Sequence, residues 1–243
     1  MMTMARGVRA LALYALLAGP AAAEQSLVLD ADGPPDSLFA AVVTAAFAGG
    51  GQSVTYHTRP WARCFEETRV GVADGLFAIY RTPERETQFL FSNEPIYLNR
   101  EHIFVRRGVS FDAAHWRDLL RGKRIGIVNG SYHGRLYEEA VAQNLFASIE
   151  TANSVQSLAS MLAAGRIDAA FATIEQMEES RPDMQAAPAI EAAQPAVDSL
   201  PVYLAFTRKR DMSAARDRFD HGLRKMKEDG RYEALKKRYA GEN

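Results

Sequence analysis

Twice along this chain, short apolar β-like segments alternate with helical ones, and that repeated order limits the possible folds more than any other feature. In the first series, strand-like segments at 26–29, 54–57 and 74–80 flank two helical ones. The first helix is capped by Asp36 or Ser37, puts Leu38, Val42, Val43 and Ala46 on one face, and stops at Gly49, Gly50 and Gly51. The second spans 60–69, with Pro60 in its first turn. The order recurs with strands at 125–128, 149–151 and 167–172. A helix entered through Asn129, Gly130 and Ser131 runs to about Asn144, and another carries Val155, Leu158 and Leu162 and stops at Gly165. A β-α-β-α-β order implies a mainly parallel sheet covered by helices, so the fold is α/β and built from two similar units.

The ends differ in kind from this body. Arg6 and Arg9 precede an apolar run over 10–17, then Gly19, Pro20 and three alanines, which is the order of a secretory signal peptide cleaved after Ala23. The run is shorter than the roughly 20 residues that cross a bilayer. Removing this leader takes two Arg from a total of 29 Lys and Arg against 30 Asp and Glu, so the body is weakly acidic and nucleic acid is not its expected partner. Cys64 is the one cysteine, which excludes an intramolecular disulfide and suggests a half-buried packing role. Residues 182–201 hold Pro182, Pro188, Pro195 and Pro201 and read as irregular connection with one short strand, followed by a strand over 202–207. Two helices end the chain, the first with Phe219, Leu223 and Met226 on one face and the second with Tyr232, Leu235 and Tyr239.

Residues 71–97 join an apolar strand, a polar turn carrying Arg81 and Arg85, and an aromatic-rich segment ending at Pro95. A planar guanidinium grips a carboxylate with two parallel hydrogen bonds, and Arg85 is the residue best placed to hold an anion in a cleft. Its bland alternative is a loop charge paired with Glu84 or Glu86. The five histidines show no metal-binding spacing, the Gly130 to Gly134 run lacks the nucleophile-elbow pattern, and no phosphate loop is present, so neither catalytic residues, a metal nor a cofactor is expected.

Together Gly71-Val72-Ala73-Asp74-Gly75, Thr82-Pro83-Glu84-Arg85-Glu86, Phe91 to Tyr97, Leu120 to Ser131, Leu162 to Ala170 and Met226 to Tyr232 resemble the extracellular solute-binding proteins of the polar amino-acid type, family 3. The resemblance covers nearly all of the mature chain. It implies a type II periplasmic binding protein, with two lobes joined by crossover strands over 101–106 and 201–207. The leader is 1–23, lobe 1 is 24–105 plus 203–243, and lobe 2 is 106–202. It further implies a monomer in the periplasm that captures a small carboxylate-bearing metabolite by hinge closure and delivers it to the permease complex of an ABC-type transporter. An enzyme on the same scaffold, dehydrating a cyclic acid, or a receptor for a membrane signalling partner are the alternatives.

In that family the Arg at the position of Arg85 meets the ligand carboxylate. Gly130 and Ser131 are the lobe 2 counterpart, through a helix N-terminus and a hydroxyl. The third-strand positions, usually small hydroxyl residues, are here Ala78 and Tyr80, and the position of the acid that meets a ligand amino group is Thr173. Asp32 and Glu175 are the substitute acids, for an amino group or, in an enzyme, as proton donor. Phe77, Tyr80, Trp61 and Tyr132 are candidate aromatic walls, with core packing as the other reading. Arg63 is expected at the same mouth as a second anion site or as a solvated helix charge.

Overall fold

The computed structural model describes residues 26–179 and 189–239. The signal-peptide reading, Pro182 and Pro188 lie outside these residues. Strand β1 (Leu27–Ala31) leads through Ser37, whose hydroxyl accepts the Ala40 N–H, into α1 (Leu38–Ala48). Strand β2 (Val54–Thr58), α2 (Trp61–Val70), closed by Gly71 at φ 87°, and β3 (Gly75–Tyr80) complete the first series. The polar turn read from the sequence is instead the helix α3 (Pro83–Gln88). Thr82 caps it by accepting the Arg85 N–H, and Pro83 supplies a preset φ at the first position, so this short polar run holds a helical turn without an apolar stripe. Strands β4 (Phe89–Phe91) and β5 (Tyr97–Arg106) follow.

A 3-10 turn and α4 (Trp116–Leu119) lead to β6 (Arg124–Val128), α5 (Arg135–Ala142), β7 (Ser148–Ala152), α6 (Val155–Ala163), β8 (Ala169–Thr173) and α7 (Ile174–Glu179). Strand β9 (Ile190–Ala192) and β10 (Asp198–Thr207) return the chain to α8 (Ser213–Glu228) and α9 (Arg231–Tyr239). The short strand expected within 182–201 is β9, and the strand expected over 202–207 starts earlier, at Asp198. The expected helix after Asn129 also begins late, at Arg135. Residues 129–134 form a turn and a loop, so no helix end points from Ser131 into the cleft.

The strands form one curled mixed sheet in the order β2-β1-β3-β10-β5-β8-β6-β7. β2-β1-β3 and β7-β6-β8 are parallel triplets. The ten-residue strands β5 and β10 cross between them, antiparallel to each other over Tyr97–Glu101 and Asp198–Val202. Each lobe buries both faces of its own triplet. Val43, Phe47, Phe219 and Leu223 lie under α1 and α8, while Leu76, Ile79, Phe89 and Cys64 lie under α2. In the other lobe Leu158, Leu162 and Ile167 lie under α6, opposite Trp116, Ile125, Tyr137 and Phe171. Cys64 is fully buried rather than half-buried, because it lies one turn from Thr68 on the face of α2 that packs against the sheet.

Two details place the site. Buried Asp220 on α8 accepts the N–H groups of Asn93 and Glu94 at 3.0 Å and the Asn93 amide at 2.8 Å, tying the C-terminal helices to lobe 1. In β3, Ala78 adopts φ 60°, and Phe77 and Ala78 together oppose the single residue Leu204. This bulge breaks the period of two, so Phe77 and Tyr80 share one face while Leu76 and Ile79 share the other.

Candidate functional site

The parallel triplets direct their C-terminal ends, at Ala31, Tyr80 and Val128, toward the line where the lobes meet, the usual position for a ligand in an open α/β sheet. A cavity of about 70 Å³ lies there. Lobe 1 lines it with Asp32, Trp61, Phe77, Ala78 and Tyr80, the crossover strand β5 with Asn99 and Glu101, and lobe 2 with Ser131, Tyr132, His133 and Gln176. The small volume follows from how closely the walls approach. Trp61 Nε1–H donates to the carbonyl of Gly130 at 3.2 Å, and the rings of Tyr80 and Tyr132 meet edge-on at 5.9 Å.

Arg85 stands behind this wall. Its helix turns the side chain inward, where one nitrogen donates to the Tyr80 carbonyl at 3.1 Å and another to the Gly130 carbonyl at 3.0 Å. The rings of Trp61 and Phe65 lie 5.8 and 5.7 Å from the guanidinium carbon. Both hydrogen-bond partners are neutral, and among the described residues no carboxylate lies within ion-pair distance. Burial accordingly pulls the Arg85 pKa down from its ordinary value, against the opposing charge of Glu84. With Trp61, Phe65, Asn129 and Gly130 the residue lines a more open depression of about 370 Å³ that shares Trp61 with the cavity.

Of the residues singled out in the sequence, Asp32, Trp61, Phe77, Ala78, Tyr80, Ser131 and Tyr132 line the cavity, and Gly130 and Arg85 line the adjoining depression. Two are elsewhere. Arg63 points to solvent, its side chain 64% exposed, and pairs with Glu67 at 2.5 Å because that acid lies one helical turn away on the same face. Thr173 is buried and caps α7, accepting the Gln176 N–H at 3.2 Å, so Gln176 rather than Thr173 reaches the cavity. Glu175 accepts from the Tyr97 hydroxyl at 3.3 Å in a groove on the hinge side, away from the cavity.

The structure adds residues that sequence reasoning missed. His133 Nδ1 lies 2.6 Å from Glu101 Oε1, both side chains almost fully buried, with Tyr137 and Phe171 flanking the imidazole. His133 Nε2 has no partner. The Asn99 amide nitrogen donates to the Tyr80 hydroxyl at 3.0 Å, and its oxygen is also buried and unpartnered. Gly134, at φ 88°, makes this approach possible, since a Cβ there would sit 2.5 Å from Asp198 on the crossover strand. One signal was available: Asn99 and Glu101 share the parity of Ile103 and Val105 in a strand, which marks them as inward-facing polar residues.

Residues 30–242 match the family described as bacterial extracellular solute-binding proteins, family 3. The chain belongs to that family. Among curated proteins no relative matches this family member. Among solved structures it is similar to a histidine kinase sensor domain with similarity to periplasmic binding proteins, at 20% identity and TM-score 0.75 over 90% of this chain and 97% of that one. It is also similar to the arginine-, lysine-, histidine-binding protein ArtJ from Geobacillus stearothermophilus, at 19% and 0.72 over 89% and 96%. A third is the ancestral amino acid-binding protein AncCDT-1, a precursor of cyclohexadienyl dehydratase, at 18% and 0.70 over 88% and 94%. At these identities the likeness shows the fold of this solute-binding protein, a two-lobed α/β scaffold. No helix among its described residues is long and apolar enough to cross a membrane.

Proposed function

We propose that this solute-binding protein captures a small carboxylate-bearing metabolite, an amino acid or related acid, by closure of lobe 2 (106–202) on lobe 1 (24–105 plus 203–243). We place it in the periplasm as a monomer delivering that solute to an ABC-type transporter. One observation carries the ligand chemistry: a buried guanidinium that spans the two lobes with only neutral partners. An uncompensated buried charge costs several kcal/mol, and a carboxylate beside it restores the balance with charge-assisted bonds of roughly 1.5–3 kcal/mol each. The Gly130 carbonyl holds that place in the present arrangement, and an anion takes it over as the lobes adjust.

The test is thermal stabilisation by a library of amino acids and organic acids, read for wild type and Arg85→Ala. A ligand at a hundredfold excess over its Kd stabilises by about 2.7 kcal/mol. Losing the Arg85 partner is expected to weaken binding by about 2–5 kcal/mol and remove most of that shift. Equal shifts for the two proteins overturn the assignment of Arg85.

The likeness to a histidine kinase sensor domain supports a second reading, in which the same capture reports to a membrane signalling partner. Uptake of the bound solute by membrane vesicles carrying a candidate permease, present with the protein and absent without it, separates transport from signalling. For an enzymatic role the cavity offers Asp32, whose pKa burial raises, while Glu175 lies outside it.

A further inference from the structure

We infer that the cavity contains a second recognition element, a subsite in which His133 Nε2 and the Asn99 side-chain oxygen accept hydrogen bonds from a donor group, a protonated amine or a hydroxyl, on the ligand. It deepens the reading of the cleft as a ligand site and rests on it, but it uses none of the atoms of Arg85.

A carboxylate only accepts, so the 2.6 Å contact with Glu101 places a hydrogen on His133 Nδ1, and in the neutral imidazole Nε2 across the ring is then the bare acceptor that meets a ligand. The Asn99 amide nitrogen is committed to Tyr80, which leaves its oxygen as an acceptor. Both atoms are buried without partners, both residues line the cavity, and both side chains are more than nine-tenths buried. Leaving such atoms unpaired costs about 1–3 kcal/mol each, and a fold tolerates that where a ligand supplies the missing bonds.

The charges around them select the kind of group. The lining holds the acids Asp32 and Glu101, the phenols Tyr80 and Tyr132, and neither Lys nor Arg. A second carboxylate entering here would meet the Asn99 oxygen and the Glu101 charge without a cation to offset them. A donor satisfies Nε2 and the Asn99 oxygen alike. The site is also held in place: Phe171 and Tyr137 fix the imidazole plane, Glu101 fixes its tautomer, and Gly134 fixes its approach to the crossover strand. Because Asn99 and Glu101 sit where β5 runs beside β10 and His133 comes from lobe 2, the subsite lies on the crossover between the lobes.

Two measurements test this. Long-range ¹H–¹⁵N spectra of the free, labelled protein at neutral pH report the His133 tautomer: hydrogen on Nδ1 and a bare Nε2 are expected, and an Nε2–H overturns the proposal. Thermal-shift titration then uses straight-chain acids of three to six carbons, each unsubstituted, 2-hydroxy and 2-amino, together with the matching amines and alcohols that lack a carboxylate. Hydroxy or amino acids are expected to bind wild type on the order of tenfold or more tightly than the unsubstituted acids. Asn99→Leu and the double variant His133→Phe with Glu101→Met, which leaves no unpaired buried carboxylate, are expected to lose that preference. Unsubstituted acids binding as tightly as the others overturn the donor subsite and leave the Arg85 reading standing. Amines or alcohols that bind wild type but not these variants, with acids failing to bind, sink the Arg85 reading and support the subsite. A panel in which no donor-bearing compound separates wild type from the variants overturns the subsite.

Discussion

Replacing Asp30 by Asn is expected to stabilise this protein at neutral pH and to lose that advantage in acid. Asp30 is the fourth residue of β1, it is 0% exposed, and neither carboxyl oxygen has a hydrogen-bond partner. His57 Nδ1 lies 3.7 Å away, beyond hydrogen-bonding distance. Burial, reinforced by the negative charge of Glu67 and opposed by His57 and Arg59, pushes the Asp30 pKa from 3.8 up to about 6. Between those two values the folded protein binds the proton that the unfolded chain has released, so stability falls as pH rises through this window and stays lower above it. A shift of about two units corresponds to about 3 kcal/mol at most. Asn keeps the shape without the charge. Urea unfolding of both proteins, followed by circular dichroism from pH 4 to 7.5, should show Asp30→Asn more stable by about 1–3 kcal/mol at pH 7.5, narrowing toward zero near pH 4. Equal stability at pH 7.5, or a difference that does not narrow in acid, refutes the reasoning.

Gly222→Ala tests packing against propensity in α8. An exposed helical Gly→Ala gains about 1 kcal/mol, but here the new Cβ would sit 1.9 Å from the Ala46 carbonyl of α1, and overpacking of about 1–3 kcal/mol should win and lower the urea midpoint. Ala78→Gly removes the strain of a left-handed alanine and is expected to raise the melting temperature by an amount equivalent to about 1 kcal/mol, whereas Ala78→Val should lower it. The Cys64 thiol, buried and pushed up to about 12 by desolvation and by the charges of Asp30 and Asp32, should react with a disulfide reagent at pH 8 in urea but scarcely in the native protein. Trp61→Phe deletes the hydrogen bond to the Gly130 carbonyl that joins the lobes, and small-angle scattering of the ligand-free protein should show a larger radius of gyration than for wild type.

Much of the architecture was legible because its causes are local. Ser37 before an apolar stripe, Gly49 to Gly51 after it, and two β-α-β-α-β series follow from capping, backbone freedom and hydrophobic period, all of which act within a few residues. Thr82 and Pro83 carried a helix signal of the same kind, and α3 escaped notice because it is short and polar throughout. The loop over 129–134 escaped for the opposite reason: its neighbours favour a helix, but the contact between His133 and Glu101 holds the chain against the crossover strand.

The site divides along the same line. The resemblance to the solute-binding family pointed to Trp61, Phe77, Tyr80, Ser131 and Tyr132 as cleft residues, and all five line the cavity. The partners that give the cleft its chemistry are separated by 19 to 45 positions: Tyr80 with Asn99, Glu101 with His133, Arg85 with Gly130. Such pairs leave no periodic trace, because the free energy that joins them arises only after the crossover strands have brought the two lobes together. Local order in the chain therefore sets which elements form and which of their ends meet. Whether a given His or Arg at those ends is paired, buried or left with an open hydrogen-bonding atom is settled by long-range packing.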